Sequence, residues 1–194
     1  MTDIPSYGLI VEGPYDQAFY QALIPRISNA TVHATLVCGG IANLMKRFPA
    51  LLRGLEYRRH GQPVDKALVI RDSKGADAET PRAQMQNKIK GRAYSFPRGV
   101  QLCVVCREME TWLLADIEAI NAVARDRGGR DVSAVVGGLE EIEDPKRCLR
   151  SFLSQARILY TAPVCAEIAS RARLETLEYG CPSFRRFRQQ VIDC

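Results

Sequence analysis

The sequence predicts an α/β fold: a mainly parallel four-stranded sheet flanked by helices, with a helical C-terminal region. Three observations carry this expectation. Short apolar runs alternate with helix-period segments through the first 116 residues. The apolar runs end in charged or Gly/Pro-rich turns, as buried parallel strands do. Beyond Ile117 the strand signal fades and Pro-initiated helical segments take over. The expected organisation is an α/β core over residues 1–116 and a helical region over 117–194 packed on it as one structural unit.

Tyr7 to Val11 is apolar and runs into Glu12-Gly13-Pro14, a strand followed by a tight turn. Asp16 opens a helix through about Ile27, with Ala18, Phe19, Ala22 and Leu23 on one face. Thr31 to Val37 alternates as a strand and stops at Gly39-Gly40. Ile41 to about Tyr57 repeats Leu44, Phe48, Leu51, Leu52 and Leu55 at helical spacing. Ala67 to Ile70 is a third strand, closed by Arg71-Asp72-Ser73-Lys74-Gly75. A helix over Glu79 to Lys90 and a strand over Val100 to Cys106 follow, then a helix from Met109 to Asp116. There Trp112, Leu113 and Ala115 form an apolar face, so Trp112 reads as core. Ala124 to Gly138 reads as a loop, and short helices cover Pro145 to Arg157, Pro163 to Arg171 and Pro182 to Val191.

Composition excludes several classes. A chain of 194 residues with 46% hydrophobic and 25% charged residues buries a core and is not disordered. No apolar run approaches the roughly 18 residues of a membrane span. Met1 to Ser6 lacks a basic flank and an apolar core, so a cytoplasmic location is expected. Seven cysteines, an odd number, fit reduced thiols better than a disulfide framework. Cys103-Val-Val-Cys106 has half the spacing of a zinc site, but it lies in an apolar run and no second pair follows, so both thiols read as core. His33 and His60 have no sequence partners for a triad.

Charge is uneven. Residues 46–98 hold 13 Lys and Arg against 5 acids, a local net of +8 within a chain whose total is +5. Lys46, Arg47, Arg53, Arg58, Arg59, Lys88, Lys90 and Arg92 are therefore the candidate nucleic-acid contacts. A solvated basic face accounts for the same residues. Arg185, Arg186 and Arg188 carry the same two readings.

The acids are placed more tellingly. Glu12 follows the first strand, Asp72 the third, and Glu108 and Glu110 the fourth, with Asp16 one turn beyond Glu12. In a parallel sheet all strand C-termini share one edge, and ligands bind there. The donors are oxygen only, which suits Mg²⁺ or Mn²⁺. An acidic hard-metal cleft beside a basic surface suits phosphodiester chemistry, with Lys and Arg holding the backbone. Glu12, in the strand-to-helix turn, is the candidate general base or metal ligand.

Leu9-Ile-Val-Glu12-Gly13 followed by Asp16, then Leu68-Val-Ile-Arg-Asp72, resembles the Toprim domain of topoisomerases, primases and old-type nucleases. Arg107-Glu-Met-Glu-Thr-Trp-Leu-Leu-Ala-Asp116, Asp144-Pro-Lys146 and Cys181-Pro-Ser-Phe-Arg-Arg-Phe187 resemble a narrower bacterial family, domain of unknown function four-two-seven-six, over essentially the whole chain. The resemblance implies a Toprim/Rossmann-like core and a Mg²⁺- or Mn²⁺-dependent nuclease. It also implies an ATPase partner and a role in defence against phage or mobile DNA. It assigns Glu12, Asp16, Asp72 and Glu108 or Glu110 as metal ligands, and Lys146 as a late catalytic lysine. Lys146 otherwise reads as a solvated first-turn lysine. Lys74 stands where the second aspartate of the Asp-x-Asp pair belongs, so a further carboxylate would have to come from Asp77. Lys74 joins the catalytic candidates as a possible substitute cation. The alternative function is a degenerate Toprim module that binds nucleic acid or a protein without cutting. DNA is the favoured nucleic acid. A covalent topoisomerase needs domains that this short chain does not offer.

Overall fold

The computed structural model describes residues 4–57, 64–134 and 137–193. Its core is a four-stranded, all-parallel sheet in the order β2-β1-β3-β4, built from β1 (Ser6–Val11), β2 (Thr31–Val37), β3 (Lys66–Asp72) and β4 (Val100–Val105). The connections are α1 (Pro14–Ser28), α2 (Ile41–Glu56) and α3 (Glu79–Ile89). After β4 come α4 (Glu110–Ala115), α5 (Ile117–Asp126), α6 (Pro145–Gln155), α7 (Ala162–Arg171), α8 (Leu174–Gly180) and α9 (Pro182–Ile192). Among the described residues, no helix is long and apolar enough to cross a membrane.

Buried strands must satisfy two apolar faces, and the side-chain period of two divides them. Tyr7, Leu9, Val11, Leu68, Ile70, Cys103 and Val105 join one core with α1 and the C-terminal helices. Ile10, Ala67, Val69 and Leu102 join the other, with Leu44, Phe48, Leu52 and Leu55 of α2 and Met85 of α3. Burial pushes the Cys103 thiol up to about 12, in keeping with its place as a core hydrophobe.

Three elements depart from the sequence expectation. The expected loop from Ala124 begins inside α5, whose start Asp116 caps by accepting the Ala119 N–H. Residues 174–180, which carried no expectation, form α8. The third strand also runs two residues further than expected, so Asp72 is its last residue.

Trp112 ties the C-terminal helices to the sheet side of the molecule. Fully buried, it lies 5.2 Å from Phe184, 5.0 Å from Phe187 and 6.1 Å from Phe19 between ring centroids. Its indole N–H donates to Ser183 Oγ at 2.9 Å. At the start of β3, the fully buried Lys66 points its ammonium at the end of α9. It donates to the carbonyls of Gln190 (2.8 Å), Val191 (3.0 Å) and Asp193, and Tyr7 Oη donates to Val191 at 2.8 Å. A cation among carbonyls at a helix C-terminus meets both the orphan acceptors and the negative end of the macrodipole.

Candidate active site

The chain leaves β1 in one direction, to β2, and β3 lies on the other side, so the sheet order reverses between β1 and β3. A crevice opens at such a point, beyond the strand C-termini. Here it is a cleft of about 270 Å³ whose lining includes Glu12, Asp16, Asp72, Glu110, Lys74 and Lys146.

Each side chain is placed by a local device. Glu12 lies one residue past β1, and its Oε1 accepts the Asp72 N–H at 2.9 Å, bridging the two strand ends. Its carbonyl accepts the N–H groups of both Gly39 and Gly40 at 2.9 Å. Those glycines have φ of 79° and 105°, so they meet the carbonyl in a conformation that disfavours other residues. Asp16, in the first turn of α1, accepts the Gly13 N–H at 2.8 Å and faces the positive end of the helix. Glu110, only 2% exposed at the start of α4, accepts from Tyr160 Oη at 2.8 Å and lies 3.3 Å from Lys146 Nζ. The Lys146 ammonium also sits 5.1 Å from the centre of the Tyr15 ring, which in turn lies 4.8 Å from Tyr160.

Lys74 reaches from the β3 turn to Asp72 Oδ2 at 3.1 Å and Glu108 Oε1 at 2.7 Å. Glu108 therefore sits behind Lys74, beside a second small cavity shared with Arg107, Glu143 and Asp144, rather than in the main lining. Asp77 does not supply the second carboxylate either. It caps α3, accepting from the N–H groups of Glu79 (2.8 Å) and Thr80 (3.3 Å).

Four carboxylates face two ammonium groups in this lining, and their protons respond. Burial raises the Glu12 carboxyl, against the pull of the Asp72 N–H and of Lys74. Burial and the Asp16 charge hold Asp72 well above the usual range. Burial, then the Glu12 charge, pushes Asp16 up to about 6. Burial alone would lower Lys74, but Asp72 and Glu108 outweigh it and hold the ammonium charged.

The donor set fits a hard divalent ion in chemistry and in charge. Glu12, Asp16 and Asp72 are the residues that would hold it. Among the described residues, however, no three Asp, Glu, His or Cys are arranged around one point as a ready cage. The carboxylates are gathered but not closed.

A pH profile of stability follows. An unfolded Asp16 loses its proton near 3.8, the folded one at about 6, so between these values the folded state binds more protons. Stability should fall as pH rises through that window, by on the order of 3 kcal/mol once Asp16 is fully ionised. Glu12 and Asp72 shift in the same direction and add to it. Thermal unfolding from about pH 4 to 7 checks this, with Asp16→Asn flattening the decline; a wild-type profile that is flat or rising there contradicts it.

The basic candidates divide. Lys46, Arg47, Lys88, Lys90 and Arg92 are exposed on α2, α3 and the segment after it. Arg53 pairs with Glu56 at 2.6 Å and stacks on Tyr94. Arg58 and Arg59 lie outside the described residues, as does His60. In α9, Arg186 pairs with Glu79 and Arg188 with Glu178, and Arg185 donates to the Glu178 carbonyl.

Tyr15, Tyr160 and Tyr20 escaped the sequence reading. Tyr15 was discoverable, since it directly follows Gly13-Pro14 in the turn. Tyr160 carries no local signal, standing 50 residues from the Glu110 it contacts.

The profile of a family described as a domain of unknown function (DUF4276) matches residues 11–192. No curated protein and no solved structure matches the chain.

Proposed function

The chain belongs to the DUF4276 family, and on that premise and the cleft geometry we propose that it is a Mg²⁺- or Mn²⁺-dependent phosphodiesterase acting on nucleic acid. One observation carries the reading. Glu12, Asp16, Asp72 and Glu110 converge in a cleft where their charges exceed those of Lys74 and Lys146. Such an excess is relieved by a divalent cation. The Toprim resemblance of the Glu12 and Asp72 motifs supports the same chemistry.

A divalent ion held there would polarise a phosphoryl oxygen and lower the pKa of a water. Glu12, with a raised carboxyl beside the Asp72 N–H, accepts a proton from the attacking water. Lys146, steadied by Glu110 and the Tyr15 ring, offers its ammonium to a phosphate oxygen or to the leaving oxygen. Exposed Lys46, Arg47, Lys88, Lys90 and Arg92 supply backbone contacts.

Incubation of the purified protein with plasmid and single-stranded DNA, with and without Mg²⁺ or Mn²⁺, tests this. Metal-dependent cleavage is the expected result. Addition of the ATPase partner that the family resemblance implies, with ATP, is the second arm; intact DNA in both arms rejects the reading. Binding should weaken with salt, each phosphate neutralised contributing a slope of about −0.9 in log K against log salt on duplex DNA. Binding that is flat with salt removes the basic face from the account.

Lys74 favours a second reading, a module that binds without cutting, because its ammonium already spans Asp72 and Glu108. Salt-sensitive binding with no cleavage under any metal is its signature.

A further inference from the structure

We propose that the cleft takes its substrate as a single strand, with one unpaired base lodged in a pocket between α6 and the chain that follows it. The proposal rests on the phosphodiesterase reading above and names its substrate class. The pocket measures about 320 Å³ and is lined by Arg150 and Ser154 of α6 and by Ile158, Leu159 and Tyr160.

One row of side chains along α6 joins this pocket to the cleft. Lys146 lines the cleft, Arg150 and Ser154 line the pocket, and residues four apart share a helix face. Lys146 and Arg150 stand about 6 Å apart along the axis, a step that one nucleotide of an extended strand can span. Two rings follow the same row. Lys146 Nζ lies 5.1 Å from the centre of Tyr15, Tyr15 lies 4.8 Å from Tyr160, and the Arg150 guanidinium lies 5.7 Å from Tyr160. The Tyr160 hydroxyl, held on Glu110 at 2.8 Å, fixes this ladder to the cleft wall. Arg150 is exposed at its outer end, where a flat base can extend the stack on the guanidinium plane.

The backbone sets the pocket in advance. Helix α6 closes with Arg157 in the left-handed region, φ 62°, while the N–H groups of Ile158 and Arg157 return to Leu153 O (2.8 Å) and Ser154 O (3.0 Å). That turn folds residues 158–160 back beside Arg150 and leaves Leu159 79% exposed as an apolar wall. Charge points the same way. No acid lines the pocket, and the exposed Arg147 and Arg150 have no acidic partner among the described residues. Arg125, Arg171, Arg186 and Arg188 of the neighbouring helices are each paired with one. A guanidinium plane beside an apolar wall suits the face of an unpaired base. A duplex keeps its bases stacked inside and offers such a pocket only its backbone.

Fluorescence anisotropy of the full chain in EDTA, where no metal-dependent cleavage intervenes, tests this with three labelled probes. They are a thymidine oligonucleotide, the same strand with abasic sites, and a duplex of equal length. The thymidine strand should bind tightest, and Arg150→Ala should weaken it on the order of 10- to 100-fold. Arg150→Lys keeps the charge without the plane. It should bind the thymidine strand nearly as poorly as the alanine variant, yet hold the abasic strand as well as the wild type does. Arg150 is exposed, so neither change disturbs the core. A duplex or abasic strand bound as tightly as the thymidine strand, or Arg150→Lys binding the latter like the wild type, overturns the proposal. So does an absence of binding to every probe. If Mg²⁺ or Mn²⁺ still drives cleavage in those cases, the phosphodiesterase reading stands alone; if neither does, both fall. The expected binding pattern with no cleavage under either metal sustains the pocket and overturns the phosphodiesterase reading.

Discussion

Glu12→Ala should lower metal-dependent cleavage by 10²- to 10⁴-fold, roughly 3 to 5 kcal/mol of barrier, and by more if a bound ion is lost with it. No other carboxylate stands where Glu12 does. It follows β1 at the switch point, its Oε1 holds the Asp72 N–H, and burial keeps its proton affinity high. Removing it takes away a base and a candidate ligand, and also leaves the Asp72 N–H without its acceptor. Glu12→Gln separates these effects, since the amide oxygen still accepts from Asp72 while the charge is gone. The Gln variant should melt at or above the wild-type temperature near neutral pH and cut as poorly as the Ala variant. Single-turnover cleavage beside a melting curve makes the comparison. A Glu12→Ala protein cutting at the wild-type rate would end the case for this cleft as the catalytic one.

Trp112→Ala should cost about 3 to 5 kcal/mol of stability. Its ring meets Phe19 of α1 and both Phe184 and Phe187 of α9, so its loss opens a cavity where the first and last helices join. The Ser183 hydroxyl loses its donor as well. For a domain of this size the melting temperature should drop on the order of 10 °C. Trp112→Phe, which refills most of the space, should recover more than half of the loss. Urea unfolding of the three proteins measures both, and a loss below about 1 kcal/mol for the alanine variant would show that the aromatic cluster collapses freely.

Sequence and structure agree most closely where local rules act alone. The four strands were legible because fully buried parallel strands read as short apolar runs, and the convergence of Glu12 and Asp72 followed from strand polarity. Of Glu108 and Glu110, offered as alternatives, Glu110 enters the lining, while Glu108 pairs with Lys74 beside it. That depends on Arg107 and Lys74 adopting left-handed conformations together across 33 positions, which no local pattern announces. Asp77, which a second carboxylate would have required, caps α3 instead, as an Asp two residues before a helix start readily does. In α5, Ala119, Ile120, Val123 and Ala124 form an apolar face that the expected loop boundary cut through. Helix α8 buries only Leu177 among its seven residues, too faint a stripe to register.

The Lys66 arrangement bears on how the molecule is made. A polypeptide emerges from the ribosome N-terminus first, so Tyr7 and Lys66 are exposed to solvent long before α9 exists. The sheet cannot bury that ammonium until Gln190, Val191 and Asp193 arrive with their carbonyls, across separations of 124 to 127 residues. Tyr7 waits longer still, 184 positions for Val191. Contacts of such span form late, because the intervening chain must be ordered first. Closure at the start of β3 is thus coupled to translation of α9, and a nascent chain that stops short keeps the Lys66 ammonium without the α9 carbonyls that receive it in the finished protein.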